Sequence, residues 1–80
     1  MKRKDLFAII AEVLEVDASE VTSDKELSSF EMYDSVNVLS LMVALDSKAK
    51  VRLSPTDVRD LRTIADIEAI AEKQGIKLVD

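Results

Sequence analysis

One glycine, Gly75, and one proline, Pro55, are all the backbone punctuation in this 80-residue chain. Tight hairpin turns and phosphate-cradling loops draw on glycine, because it enters left-handed backbone conformations without steric cost. A chain this poor in glycine has little room for either, and it reads as helical. Its length makes one domain, residues 1–80, which buries ~60–65% of the surface its unfolded chain exposes. Such a domain holds one modest core and no deep catalytic cleft.

Side-chain chemistry narrows the function. The chain has no cysteine, so disulfides, thiolate metal sites and thiol nucleophiles are excluded. It has no histidine, which removes the commonest general base and metal ligand. With no tryptophan and a single tyrosine it has no stacking platform for bases. A net charge of −5 argues against nucleic acid as a partner. Lys2, Arg3 and Lys4 ahead of apolar residues resemble the start of a signal peptide, but Glu12 and Glu15 break the apolar run too soon. No stretch approaches transmembrane length, so membrane insertion is not expected. The expectation is a monomeric, cytoplasmic protein.

Residues 5–15 read as an amphipathic helix, with Leu6, Ile9, Ile10, Val13 and Leu14 on one stripe. Asp5 in its first turn offsets the unfavourable basic triplet before it. Residues 16–34 have no sustained period and are rich in turn and cap formers. This connection is long, and Val16, Val21, Leu27, Phe30 and Met32 are expected to pin it over the open end of a bundle. Glu20 and Glu31 read as solvated loop charges. Residues 35–49 form a second helix with its core stripe at Val38, Leu41, Met42, Leu45 and Ala49. Ser54-Pro55-Thr56-Asp57 is a strong start signal for a short helix to about Leu61, with Val58 and Leu61 inward. Thr63-Ile64-Ala65-Asp66 repeats the pattern and opens a last helix striped by Ile64, Ile67, Ile70 and Ala71. Gly75 is a left-handed residue that ends it, and Ile76, Leu78 and Val79 either pack back or fray. The predicted fold is all-α: a small bundle of three longer helices and one short one, with a long loop between the first and second.

The stretch Tyr33-Asp34-Ser35-Val36 carries the functional expectation. Asp34 is a good helix N-cap, which makes Ser35 the first helical residue. A hydroxyl there stands where free N–H groups and the helix dipole favour negative charge, the sensible attachment point for anything phosphate-like. Val36, Leu39 and Val43 fall outside the core stripe. Either the helix is central and covered on two sides, or these three form an exposed strip beside Ser35 for docking. Charge is uneven: residues 5–34 hold nine acids and one base, whereas residues 35–62 hold three acids and five bases.

These features together resemble the acyl carrier protein family over nearly the whole chain. The resemblance rests on Val13-Leu14-Glu15-Val16-Asp17, Val21-Thr22, Leu27, Asp34-Ser35-Val36, Leu41-Met42-Val43-Ala44-Leu45 and Arg62-Thr63-Ile64-Ala65-Asp66. It implies that Ser35 is the attachment point for covalent 4′-phosphopantetheine, installed from coenzyme A and Mg²⁺ by a phosphopantetheinyl transferase. Asp34 would then cap the helix and help the transferase place Mg²⁺, with no resident metal in the chain itself. Val36, Asn37, Leu39, Ser40 and Val43 would form the docking face for acyl-loading and acyl-transferring enzymes. The chain would not be an enzyme: it would carry acyl groups as thioesters for fatty-acid, lipid or polyketide-type synthesis. An aminoacyl, peptidyl or D-alanyl carrier is the alternative within the same chemistry, and an unmodified helical interaction module the alternative outside it.

Departures from the family pattern accompany the match. A small residue, often glycine, is usual three before the serine, whereas here Met32 and Tyr33 precede Asp34, and Glu31 stands where leucine is common. Phe30 or Met32 is expected to anchor the loop instead. Val36 replaces a usual leucine, and Asn37, Ser40 and Lys48 occupy positions commonly acidic. The loss of acids that would dock basic enzyme patches implies a specialised carrier with dedicated partners.

Overall fold

Helix α1 (Arg3–Leu14) begins two residues earlier than the apolar pattern indicates. The computed structural model, which describes residues 1–80, gives the reason. The carbonyl of Val79 accepts from Arg3 N at 2.7 Å, so the chain's tail satisfies an amide that a capping side chain would otherwise serve. The Arg3 guanidinium also meets Glu68 at 3.1 Å and Asp80 at 2.9 Å. One charge of the basic triplet is thereby paired, and these two carboxylates, Asp80 foremost, raise the Arg3 pKa above its usual value. Leu6, Ile10, Ala11 and Leu14 are buried along one face, with Ile9 and Val13 half-buried beside them. The helix closes at Glu15, which is left-handed at φ 57°, with Val16 N donating back to Ala11 O at 3.1 Å.

The long connection is pinned as its apolar residues indicate. Short 3₁₀ turns form at Ala18–Glu20 and Leu27–Ser29. Val21, Leu27 and Phe30 are buried, and Val16 and Met32 are half-buried. The loop also supplies acceptors to the last helix. Ser23 O and Lys25 O take the N–H groups of Ala65 and Ile64 at 2.9 and 3.0 Å, and Leu27 N donates to Arg62 O at 2.8 Å. Orphan amides at that helix start are thus satisfied by a segment far away in sequence.

Helix α2 (Ser35–Ala44) does not run uniformly to residue 49. A wider π turn at Leu45–Ala49 follows it, ending in left-handed Lys50 at φ 58°. Val51 N reaches back to Leu45 O at 3.0 Å, and Val51 and Leu53 enter the core. Leu41, Leu45 and Ala49 are buried and Val38 and Met42 half-buried, so the predicted core stripe faces inward. Both α1 and the π turn pack closely together, and α1 also packs against α2.

Helix α3 (Pro55–Asp60) opens with a reciprocal cap: Ser54 Oγ accepts from Asp57 N at 3.0 Å, and Asp57 Oδ2 accepts from Ser54 N at 2.9 Å. Val58 is half-buried and Leu61 buried. Helix α4 (Ile64–Lys73) is started by the Asp66 carboxylate, which accepts from Arg62 N at 2.9 Å and Thr63 N at 3.0 Å. Gly75, at φ 91°, ends it: Gly75 N donates to Glu72 O and Ile76 N to Ala71 O, both at 3.0 Å. The tail then packs back: Leu78 is buried and Val79 N donates to Met1 O at 3.0 Å. The all-α reading with three longer helices and one short one is therefore the observed architecture, around one core of 17 buried apolar residues.

Candidate functional site

The segment entering α2 is built from its anchor outward. Phe30 is buried, and its carbonyl accepts from Tyr33 N at 3.1 Å in a tight turn. Phe30 is thus the loop anchor expected in place of a small-residue turn, with half-buried Met32 beside it. Tyr33 is half-buried, and the loss of water around its phenol pushes its pKa up.

Asp34 sits in extended backbone (φ −134°, ψ −179°) and caps α2. One carboxylate oxygen, Oδ1, accepts from Val36 N at 3.0 Å and Asn37 N at 2.8 Å. Ser35 follows as the first helical residue and is exposed. Its hydroxyl points at no acceptor in the chain, and its own N–H lies at the positive end of the helix. An anionic group esterified to Ser35 Oγ therefore fits: there is open space, a free amide and a favourable dipole. No group of three or more acidic side chains lies where it could hold a metal ion.

The face beside Ser35 is apolar and open. Val36, Leu39 and Val43 are 70%, 61% and 68% exposed, and Ser40 is exposed among them. Of the two readings of these residues, the central, doubly covered helix is excluded and the exposed strip is what the fold presents. From Ser35 to Leu45 there is no charged side chain. A shallow hollow runs along this face, lined by Leu39, Ser40, Val43, Ala44, Ser47 and Lys48. A second lies where α2 meets the 50–54 segment, lined by Met42, Val43, Asp46, Arg52 and Leu53. Asn37 differs from the rest of the expected docking group. It is half-buried, and its side-chain Nδ2 donates to Met32 O at 2.6 Å, turning into the loop. That role was visible only as a spacing: residue 37 is third in the helix, where side chains lean back over the N-terminus.

Comparison with known proteins agrees with this geometry. The family described as phosphopantetheine attachment site matches residues 4–71. An acyl carrier protein of Chlamydia caviae is 36% identical over 72 residues, covering 89% of this chain and 94% of the relative. One of Rhodococcus erythropolis is 33% identical over 69 residues, 86% of this chain and 76% of the relative. A meromycolate extension acyl carrier protein of Mycolicibacterium aurum is 32% identical over 68 residues, 85% of this chain and 70% of the relative. With its helical bundle and the helix junction at residues 34–35, the chain belongs to the acyl carrier protein family, whose working group is a covalent 4′-phosphopantetheine.

Proposed function

We propose that Ser35 bears the phosphopantetheine arm and that the chain presents acyl groups to enzymes of fatty-acid, lipid or polyketide-type synthesis, leaving catalysis to them and working in the cytoplasm. The arm's terminal thiol supplies the thioester chemistry that a chain without cysteine lacks. The observation that carries this reading is the exposed Ser35 hydroxyl at the first position of α2, inside the matched family span. Asp34 prepares it by fixing the helix start through Val36 N and Asn37 N. Only its Oδ1 is engaged, so Oδ2 is free to help a phosphopantetheinyl transferase place Mg²⁺. The chain has no histidine, and this reading leaves removal of the Ser35 proton to the transferase.

Val36, Leu39, Ser40 and Val43 form the docking face of this reading. Because α2 is uncharged from Ser35 to Leu45, a matching enzyme presents an apolar seat instead of a basic one. Docking then depends weakly on salt. This supports a specialised carrier: general fatty-acid enzymes that rely on acidic contacts should load it poorly, and loading kinetics equal to a housekeeping carrier's would refute the specialisation.

The attachment is tested by incubating the protein with coenzyme A, Mg²⁺ and a promiscuous transferase and weighing it intact. The expected result is a mass gain of one phosphopantetheine that disappears in Ser35→Ala. Absence of the gain in a folded protein, or its survival in Ser35→Ala, overturns the assignment.

A further inference from the structure

We infer that Asn37 is a positioning residue for the modification of Ser35: its side-chain amide clasps the Met32 carbonyl and holds residues 33–35 in the reactive conformation. The inference rests on Ser35 being the attachment residue. Between Tyr33 N, bonded to Phe30 O, and Val36 N, bonded to Asp34, neither backbone amide has a partner in the chain. The segment that carries the hydroxyl is therefore fixed from its two sides only. One tie is the Asp34 cap, which takes the Asn37 N–H at 2.8 Å. The other is the Asn37 Nδ2 bond to Met32 O at 2.6 Å, which closes a ring over the four intervening residues, 33–36.

The chemistry at 37 is specific. Met32 O receives no backbone N–H, so within the chain its donor is a side chain, the Asn37 amide. A carboxylate of the same shape cannot donate, and it would place oxygen against oxygen. The third helical position is suited to this because its side chain leans back toward the preceding turn. A side chain read by a docking enzyme would face solvent, whereas Asn37 is half-buried.

The test compares the wild-type chain with Asn37→Ala, Asn37→Asp and Ser35→Ala. Transferase kinetics are measured at saturating coenzyme A and Mg²⁺, alongside amide hydrogen exchange at residues 33–36. A lost hydrogen bond lowers the share of competent conformers about fivefold. The KM for the carrier should therefore rise about fivefold with kcat unchanged in both Asn37 variants. Exchange at Tyr33 and Val36, whose amides are bonded to Phe30 O and Asp34 Oδ1, should quicken while the melting midpoint stays near that of the wild type. Unchanged KM and exchange in Asn37→Ala would overturn the clasp. So would a KM rise confined to Asn37→Asp, which would assign the effect to charge. A wild-type protein that gains no mass at Ser35 would instead refute the attachment, and exchange at residues 33–36 alone would then judge the clasp.

Discussion

Ser23 Oγ stands 2.8 Å from the Glu68 carboxylate, so a hydroxyl from the long loop meets the one buried charged residue of the fold. The Arg3 guanidinium reaches the same carboxylate at 3.1 Å. A buried charge persists only where partners replace water. Glu68 therefore ties together the start of α1, the middle of the loop and the inner face of α4. It sits on the core stripe Ile64–Ile67–Ala71, between two fully buried neighbours.

Removing either partner should register in the stability of the domain. Ser23→Ala should cost about 1–2 kcal/mol through an under-satisfied buried carboxylate. Glu68→Ala should cost about 2–3 kcal/mol, less than a fully buried pair because the Arg3 side chain keeps 30% exposure and retains Asp80. Urea unfolding of both variants measures this; changes within about 0.5 kcal/mol of the wild type would class the cluster with ordinary surface contacts.

Neighbouring apolar residues of α2 should separate cleanly. Leu45 is fully buried and Leu39 is 61% exposed. Leu45→Ala should cost about 2–5 kcal/mol as a core truncation, a large part of the total for so small a domain. Leu39→Ala should stay within about 0.5 kcal/mol in the same denaturant melt yet impair loading by the carrier's own enzymes. A silent Leu45→Ala or a costly Leu39→Ala would reverse the assignment of faces.

Two helix ends carry left-handed residues other than glycine, Glu15 at φ 57° and Lys50 at φ 58°. A side chain there is disfavoured by roughly 1–2 kcal/mol, partly offset by the greater chain entropy that glycine brings to the unfolded state. Glu15→Gly and Lys50→Gly should each raise stability by about 0.5–1 kcal/mol. Thermal unfolding reads this as a higher midpoint, and a lowered midpoint in both would contradict the backbone assignment.

Acid should weaken the fold through its capping carboxylates. Asp66 is held below the usual carboxylate range by the N–H groups of Thr63 and Arg62, and Asp57 by the Ser54 N–H and hydroxyl. With a folded pKa below the unfolded 3.8, each group's contribution is complete above that value and disappears as pH falls through the lower one. Chemical denaturation at a series of pH values should show stability falling below about pH 4. Asp66→Asn should flatten that fall, and an equally steep fall in the variant would place the acid sensitivity elsewhere.

Much of this was legible in the chain because its local signals agree. The Ser54-Pro55 start, the Asp34 cap, Gly75 and the periodic apolar residues each determine an element through short-range physics. The residues that escaped are those whose partners lie far off in sequence. Glu68 falls at core spacing after Ile64, a signal in itself, but Arg3 and Ser23 are its neighbours only after folding. Arg3 read as a misplaced charge before α1 because Val79 and Asp80 could not be known to return to it. The strip Val36–Leu39–Val43 was ambiguous for the same reason, since spacing reveals a face and not whether another element covers it. Asn37 was grouped by position with its exposed neighbours, and its bond to Met32 depends on how the loop turns.

The π turn at Leu45–Ala49 has a consequence for the length of the chain at that point. A regular α-helix advances ~100° per residue, so an α-helical turn is one backbone step tighter than this one. The slack lets Leu45 and Ala49 both face inward and still deliver Val51 and Leu53 to the interior with Arg52 outside. Deleting a single residue between 45 and 49 would let the coil close as a regular α-helix: four α steps sweep ~400°, close to what the wider turn covers with one residue more, so Val51 and Leu53 would keep their inward phase. The segment is thus where this fold tolerates one residue more or fewer: the wider turn takes up the difference before the chain re-enters the core at Val51.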